Sequence, residues 1–482
     1  MRSHFLQLEA GQANLMGLKT RSGVTFSPYD MIPIYCAKDF DFASLLQQST
    51  RLESEDLEDD NTTCDAAEVA MVEHEASSES EDQRLPKRLR VAIPSSSIAP
   101  QIPEAVSLST SRRHSIRRKK RALRILEEGH VPRSKTHAKY VRSSFPIATS
   151  LKSEDLPTTK GAYSATNTKQ TAGDRKAWTV DELLREGLSY VHWDGFKDMP
   201  LIDSEGRIIA VLVGQPNDSG YAQAVAAVYD AMACEAQATT FHQRDANHRR
   251  GDFPALNVGV TYGKGTIKPV TINNHGYSEM VSRLLSNKDL QRLAAFDSAS
   301  FQLWAPDVYG YYKSHLDPLW AKMPDLRRNF KRSIFTSAAF NFGPNVWTFR
   351  HRDAQNCPFG WCAIKGLGPY DSTKGGHLIL WELDLVIEFP SGALALIPSA
   401  TISHSNVPVQ PGDSRASFTQ YCAGGLFRYV DNGFKTEGEL EKMDKERYQE
   451  MCEMKKTRWE MGLSLFSKFD DIVKFSSTNV PL

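Results

Sequence analysis

The second half of the chain alternates short apolar runs with turn residues, a pattern that predicts β-strands. The runs begin near Ile334, become dense between Leu378 and Ile397, and end at Tyr421. Pro390-Ser391-Gly392 separates two of them and is a typical turn. Short antiparallel strands at this spacing predict a double-stranded β-helix, a jelly-roll or cupin-like barrel.

Longer patterns with helical spacing lie on both sides of this barrel. Capping boxes at Thr179/Glu182 and Thr436/Glu439 predict helix starts. Further helices are expected over 222–238 and 274–296, and one or two more within 306–330. The fold class is therefore α+β, with a barrel core flanked by helices. We expect a barrel domain with a helical N-terminal layer over 176–435 and a helical extension over 436–482 that packs on it.

The first 175 residues have a different composition, and we expect them to be largely disordered. Residues 53–82 are acidic and rich in Ser, whereas residues 84–142 contain 16 Lys and Arg against three Glu. Such a basic run is typical of a nuclear import signal or a nucleic-acid-binding arm, although it is also compatible with a solvated, disordered segment. Residues 143–176 are rich in Ser, Thr and Lys and are expected to be a linker.

Composition limits the cellular setting of this 482-residue chain, whose formal net charge is zero. Seven cysteines without paired spacing indicate a reducing compartment. No secretory signal and no apolar run of membrane-spanning length is present in the sequence. Together with the basic run, these features favour an intracellular protein located in the nucleus, with no membrane partner.

The candidate chemistry lies within the predicted barrel. His351 and Asp353 are two residues apart, so a strand would place both side chains on one face, and His404 follows 51 residues after Asp353. Two histidines and one carboxylate form the ligand set of a non-haem Fe(II) site that keeps positions open for a cosubstrate and dioxygen. Arg415 suits the far carboxylate of 2-oxoglutarate, and Ser417, facing the same way, is expected to assist it.

Alternatives to this ligand set exist. An isolated His-x-Asp motif occurs by chance, and a single histidine is more often a structural residue. His377, which follows two glycines, is the rival for the second histidine. It lacks an arginine at the appropriate distance, so we prefer His404.

A basic turn and a glycine-interrupted strand precede the barrel. Arg250 lies in the turn, and Lys264 lies in Gly263-Lys264-Gly265, which lacks the spacing of a phosphate-binding P-loop. Both residues are candidate contacts to a nucleic-acid backbone, and an ordinary hairpin loop is the alternative.

Six stretches carry a resemblance to a known family. Residues from about 250 to 434 resemble the fungal, transposon-associated branch of the Tet/J-binding-protein dioxygenases, which oxidise nucleobases in DNA. The stretches are RGDFPALNVGVTYGKG, FNFGP, HRDAQNCPFGWCAIKGLGPYD, GGHLILWEL, FPSGALALIPSATISHSN and RASFTQYCAGGLFRYVDNGF. The resemblance implies Fe(II) held by His351, Asp353 and His404, and 2-oxoglutarate held by Arg415. It does not imply zinc, because the Cys-rich segments of the animal members are missing.

A dioxygenase of this kind would have to flip its target nucleotide out of the duplex to bring it to the iron. Asn356, Trp361 and Tyr370 are candidates to hydrogen-bond or stack on the flipped base. The expected activity is oxidation of 5-methylcytosine to 5-hydroxymethylcytosine and further. The alternatives are oxidation of N6-methyladenine or thymine, a catalytically weak chromatin- or DNA-binding protein of the same fold, and a peptidyl hydroxylase.

Overall fold

The computed structural model describes residues 18–19, 25–26, 120, 124, 134–167, 169–171, 173–263 and 265–478. The chain divides into two units, Met1–Glu58 and Asp59–Leu482. In the first unit, strand β1 (Leu18–Lys19) pairs antiparallel with β2 (Thr25–Phe26). Every other described element belongs to the second unit. In the described part of the chain no helix has the length and apolar character to cross a membrane.

The second unit contains helices and strands in a mixed order. The helices are α1 (Ser134–Ser143), α2 (Val180–Arg185), α3 (Ser219–Gln237), α4 (Gln243–Ala246), α5 (Ser278–Ser286), α6 (Lys288–Trp304), α7 (Pro306–Lys322), α8 (Gly424–Asp431), α9 (Glu437–Met443), α10 (Lys445–Ser464) and α11 (Phe469–Thr478). The strands are β3 (Ile147–Ala148), β4 (Ser189–Val191), β5 (Met199–Ile202), β6 (Ile208–Val213), β7 (Ala255–Thr261), β8 (Val270–Thr271), β9 (Ser337–Asn341), β10 (Cys362–Leu367), β11 (Leu378–Leu380), β12 (Leu385–Ile387), β13 (Leu394–Ile397), β14 (His404–Asn406) and β15 (Ala416–Tyr421).

Nine strands form the larger sheet, in the order β3-β5-β6-β13-β10-β15-β9-β7-β8. Its pairs are antiparallel except for β3 with β5. One face packs on α3 and α6: Lys365 of β10 lies 3.1 Å from Asp297 of α6 and donates to the Tyr221 hydroxyl of α3. Because side chains alternate along a strand, the register places Gly366 and its partner Ser417 on the opposite face.

Four strands form the smaller sheet, in the order β14-β11-β12-β4. Its two faces are both apolar but belong to different clusters. Leu378, Leu380, Leu385 and Ile387 join the main hydrophobic core, so we call their side the inner face. Ile379 and Val386 alternate with them and pack with α2 in a separate cluster, which defines the outer face. The prediction of short, largely antiparallel strands flanked by helices is confirmed.

The linker prediction for residues 143–176 is wrong. Ile147 of β3 pairs with Leu201 of β5, which extends the larger sheet, and Leu156 and Tyr163 are buried in the main core. Edge pairing explains the error, since backbone hydrogen bonds to an exposed strand do not require an apolar sequence. The acidic run at 53–82 and nearly all of the basic run before α1 lie outside the described residues.

Both predicted capping boxes form. The Thr179 hydroxyl accepts the Glu182 amide and the Glu182 carboxylate accepts the Thr179 amide, and Thr436 and Glu439 repeat the arrangement. The second box begins α9, and the chain after it reaches back to the core through Leu463 of α10, Phe466 of the following turn and Ile472 of α11. Capping therefore predicted both helix starts because it depends on local residues alone.

Candidate metal centre

Three side chains meet where the smaller sheet continues into the segment before β10. The ligand-type atoms of His351, Asp353 and His404 all lie within 4.8 Å of one another. The backbones of the two histidines form an antiparallel bridge, with His351 N to His404 O at 3.1 Å and His404 N to His351 O at 2.9 Å. Directly opposed residues project to the same side, which explains how a separation of 53 residues becomes a contact between imidazoles.

Hydrogen bonds select the ring nitrogen that faces the centre. His351 Nδ1 lies 2.7 Å from the carbonyl oxygen of Phe349, and His404 Nδ1 lies 3.1 Å from that of Ile402. A carbonyl only accepts, so each Nδ1 carries the proton and each Nε2 keeps a free lone pair. His404 Nε2 is 3.9 Å from Asp353 Oδ2. This outer support is typical of metal-binding histidines.

The environment stabilises the protonation states that a cation needs. Burial lowers the pKa of His351 well below its usual value and also lowers the pKa of His404, so both imidazoles are neutral. Burial alone would raise the pKa of Asp353, but positive charge around it, including that of Arg250 and Arg249, outweighs burial, and the net shift is downward. Two neutral imidazoles and one carboxylate match the ligand set of non-haem Fe(II) enzymes.

Two further acidic or basic side chains hold the ligand segments in place. Arg249 Nη2 lies 3.4 Å from Asp353 Oδ1, the carboxylate oxygen that is not turned to His404. The Glu382 carboxylate accepts both the backbone amide of Ser403 at 2.6 Å and its hydroxyl at 2.7 Å. Since Ser403 directly precedes His404, Glu382 fixes the start of the strand that presents this ligand.

The predicted cosubstrate residues lie on the side of the larger sheet that carries Gly366. Arg415 is 1% exposed; its Nη1 donates to the carbonyl of Val346 at 2.7 Å, and its guanidinium also hydrogen-bonds to the Tyr370 hydroxyl. Its buried Nε has no partner. The Ser417 hydroxyl accepts from Asn341 Nδ2 at 2.9 Å, which leaves its own proton available. These unused buried donors match a ligand carboxylate such as that of 2-oxoglutarate.

Tyr370 completes the surroundings of Arg415 in a way that differs from its predicted role. Its ring centroid lies 5.6 Å from the guanidinium carbon, and its hydroxyl donates to the Phe389 carbonyl at 2.6 Å. Glycines make the room: a side chain at Gly366 would overlap the Tyr370 hydroxyl, and a Cβ at Gly376, where φ is +73°, would lie 3.0 Å from its ring. The structure thus associates Tyr370 with the Arg415 side of the site.

The other predicted substrate residues have mixed outcomes. Trp361 is wrong as a stacking residue, because it is 1% exposed, donates to the Ile209 carbonyl at 2.8 Å and packs on Phe301. Asn356 is near the centre, but its Nδ2 donates to Ser399 Oγ at 3.1 Å, which leaves its Oδ1 for other contacts. Arg250 is partly buried and its charge acts on both His351 and Asp353. Lys264 lies outside the described residues.

Tyr421 is a candidate that the sequence interpretation missed. It is partly exposed at the end of β15, and the strand period places it on the same side as Arg415 and Ser417. Its hydroxyl lies 3.2 Å from Asn257 Oδ1, and the charges of Arg250 and Asp353 both act on it. The sequence could have indicated Tyr421, because every second residue of a strand after Arg415 lies on the same face. A partly exposed aromatic ring beside the centre can stack on a planar substrate.

A cavity of about 620 Å³ opens onto His351. Its lining includes four cations, Lys169, Arg249, Arg350 and Arg352, and two carboxylates, Asp174 and Glu382. Both carboxylates already accept hydrogen bonds from neighbouring protein groups. The entrance is therefore cationic in character, which favours an anionic substrate.

Comparison with known proteins gives structural similarity without a family assignment. No protein-family model matches the sequence, and no curated protein matches it. The structure is similar to NgTET1 in complex with 5mC DNA, with a TM-score of 0.36 and 11% identity over 51% of this chain and 91% of that one. It is also similar to an oxidoreductase of the 2OG-Fe(II) oxygenase family from Burkholderia pseudomallei, with a TM-score of 0.27 and 15% identity over 48% and 94% of the two chains.

A third similarity is shorter. The 2OG complex of the viral collagen prolyl hydroxylase vCPH from Paramecium bursaria Chlorella virus-1 matches with a TM-score of 0.15 and 17% identity, over 18% of this chain and 57% of that one. Since all three TM-scores are below 0.5, these similarities do not establish the family of this chain.

Proposed function

We propose that this protein is an Fe(II)- and 2-oxoglutarate-dependent dioxygenase built on a double-stranded β-helix. The observation that carries the proposal is the meeting of His351, Asp353 and His404, with both Nε2 lone pairs free and both imidazoles neutral. The strand order supports the fold, since β13-β10-β15-β9 forms one antiparallel sheet while the His351–His404 bridge extends the other.

The residues divide the work between metal and cosubstrate. His351, Asp353 and His404 would hold Fe(II), while Arg415 and Ser417 would hold the far carboxylate of 2-oxoglutarate. When bound, these groups supply the activation of dioxygen, coupled to decarboxylation of 2-oxoglutarate to succinate. The protein positions the substrate and shields the reaction from water rather than supplying an acid or base.

The proposed substrate is a methylated base in DNA, with 5-methylcytosine as the first candidate. A cationic entrance suits phosphodiester groups, and a base can reach a buried metal only after its nucleotide is flipped out of the stack. Tyr421 would stack on the flipped base, and Asn356 Oδ1 would accept a hydrogen bond from its edge. The resemblance of the six quoted stretches to the Tet/J-binding-protein family, in its fungal transposon-associated branch, supports this choice.

The basic run at 84–142 belongs to the same proposal. It lies almost entirely outside the described residues, so its support is compositional: 16 Lys and Arg against three Glu. We propose that it directs the protein to the nucleus or adds non-specific contacts to DNA. A barrel that merely binds chromatin without turnover is the competing hypothesis, and the complete ligand set favours an enzyme.

The test is an assay of the purified full chain with Fe(II), 2-oxoglutarate and duplexes carrying 5-methylcytosine, N6-methyladenine or only unmodified bases. Mass spectrometry of the nucleosides identifies which base is oxidised, and succinate is measured in parallel. The double variant His351→Ala/Asp353→Ala should form neither product. Base oxidation that persisted in this variant would refute the metal assignment, and an active wild-type enzyme that oxidised no base would refute DNA as its substrate.

Arg415 provides a separate test of the cosubstrate. Lysine keeps the charge but loses the planar fork, so Arg415→Lys should raise the KM for 2-oxoglutarate by about 10- to 100-fold, the equivalent of one or two charge-assisted hydrogen bonds. The KM for the oligonucleotide should change little. An unaltered KM for 2-oxoglutarate would remove Arg415 from the cosubstrate site.

A further inference from the structure

A segment upstream of the barrel forms one wall of the cavity at the metal centre. We call residues 163–167, 169–171 and 173–175 the strap. Its Ala165 amide donates to the Ala354 carbonyl at 2.8 Å, immediately after the ligand Asp353. At its other end, the Asp174 carbonyl accepts the Arg350 amide at 3.0 Å, immediately before the ligand His351. The strap is thus attached to the chain on both sides of the His-x-Asp motif.

Side chains reinforce this attachment. Gln170 Nε2 donates to the Arg350 carbonyl at 3.2 Å, and Arg352 Nη2 lies 3.4 Å from the Thr166 carbonyl oxygen. Asp174 Oδ2 accepts both the amide and the hydroxyl of Thr171 at 2.7 Å. The strap therefore has a definite course along the motif, and the exposed side chains of Asn167 and Lys169 line the cavity.

The charged side chains of the strap differ in whether they have a partner. Asp174 is engaged within the strap, whereas exposed Lys169 makes no ion pair with any described residue. The Arg350 guanidinium lies over the Trp381 ring, 4.4 Å from its centroid, and its charge also lowers the pKa of Asp174. Lys169 and Arg350 both line the same cavity as His351.

We propose that the strap is part of the substrate site, and that Lys169, which lines the same cavity as Arg350, contacts a phosphate of the DNA strand next to the flipped nucleotide. This inference rests on the proposed function, because it assumes that DNA enters the cavity. The phosphate is the chemical group that fits: it is anionic, it accompanies every nucleotide, and it pairs with Lys as a point charge and with Arg as a fork. The catalytic unit therefore begins before residue 176.

Salt-dependent binding tests the contact directly. Affinity of the full chain for a 5-methylcytosine duplex is measured by fluorescence anisotropy between 50 and 200 mM salt, a range that reveals phosphate contacts. Lys169→Ala should weaken binding about three- to tenfold at the lower salt and reduce the slope of log K against log salt by about 0.9, the value for one lost phosphate contact. Lys169→Arg should retain the slope.

Lys160→Ala is the matched control. Lys160 is an exposed lysine in the turn just before the strap, and it is not among the residues that line the cavity. It removes the same charge from the same region and should leave the slope at the wild-type value. Equal slopes for Lys169→Ala and Lys160→Ala would overturn the inference.

The outcome can be separated from failure of the proposed function. If the wild type binds the duplex but oxidises no base, the function fails while the slopes still decide the phosphate contact. If the wild type oxidises the base and the two alanine variants have equal slopes, the function stands and the strap contact is refuted. If the wild type does not bind the duplex, both are refuted.

Discussion

The four strands of the smaller sheet carry a buried histidine on each face, and among the described residues only the inner one belongs to a cluster that could hold a metal ion. His404 on β14 is 4% exposed on the inner face, and His377, directly before β11, is fully buried on the outer face. The strands β11 and β14 pair, with Leu380 opposite His404, so the two histidines are close in the sheet but alternate in direction. Burial lowers the pKa of both, to about 4 for His377.

The difference lies in what each imidazole contacts. His404 has its Nδ1 bonded to a carbonyl and its Nε2 turned to Asp353. His377 has its Nε2 3.0 Å from the Tyr190 hydroxyl, which in turn donates to Glu388 Oε1 at 2.9 Å. Since the tyrosine proton is given to the carboxylate, Tyr190 accepts from His377. A lowered histidine pKa therefore identifies burial, while the hydrogen-bond pattern distinguishes a ligand from a structural residue.

The largest expected effect comes from exchanging each histidine for alanine. His404→Ala should abolish succinate formation and base oxidation, because one of three protein ligands is lost. His377→Ala should destabilise the fold, since a buried side chain is removed, yet leave metal-dependent turnover of the folded fraction close to that of the wild type. Iron content and turnover per folded molecule, with folding followed by circular dichroism, measure both.

The opposite result would assign the metal to His377 and a structural role to His404. Loss of bound iron in His377→Ala, together with its retention in His404→Ala, would show that the rival histidine is the ligand and that the inner-face geometry is misleading.

Substitution of one glutamate on each face of the smaller sheet tests the same comparison, with a smaller expected effect than loss of a histidine. Glu382 holds Ser403 beside the ligand His404, whereas Glu388 accepts from Tyr190 and from the Trp193 amide on the outer face. Glu382→Gln should weaken Fe(II) affinity by about tenfold, the lower end of the range for groups that orient metal ligands. Glu388→Gln should leave it unchanged. Titration of the metal-free protein with Fe(II) under anaerobic conditions compares them, and equal affinities would show that Glu382 has only a structural role.

The sequence predicted those features that depend on interactions between residues close together in the chain. Capping boxes at Thr179 and Thr436 and the apolar runs of the barrel strands depend on neighbours in the sequence, and they were predicted. The residues 143–176 were misjudged, because β3 is stabilised by the edge of β5, more than 50 residues away. Local composition contains no information about that edge.

The candidate site shows the same division. The spacing of His351, Asp353 and His404 suggested one metal centre because the chemistry requires these residue types, and the structure brings them together. Trp361 was misassigned because an aromatic side chain is equally suited to a core and to a binding surface, and its partner Ile209 lies 152 residues earlier. The strap contacts with Ala354 and Arg350 are long-range backbone hydrogen bonds, which no side-chain motif signals.

The smallest predicted effect concerns pH and stability at His377. Its pKa in the folded protein is about 4, below the ordinary value of 6.5, so the unfolded chain binds the proton more readily. The contribution to stability is therefore complete above about pH 6.5 and is lost as the pH falls toward 4. Between pH 7 and pH 5.5, this one histidine should cost about 1 kcal/mol of unfolding free energy.

Urea unfolding at pH 7 and pH 5.5 gives the change in unfolding free energy between the two pH values for the wild type and for His377→Gln. The difference between these two changes measures the cost. Glutamine does not titrate, so the variant should lose about 1 kcal/mol less than the wild type over this interval. His275→Gln, at an exposed position, should behave like the wild type. If His377→Gln showed the full wild-type pH dependence, His377 would not be a buried imidazole that stays neutral in the folded protein. The contrast between His377 and His404 would then depend on metal binding alone.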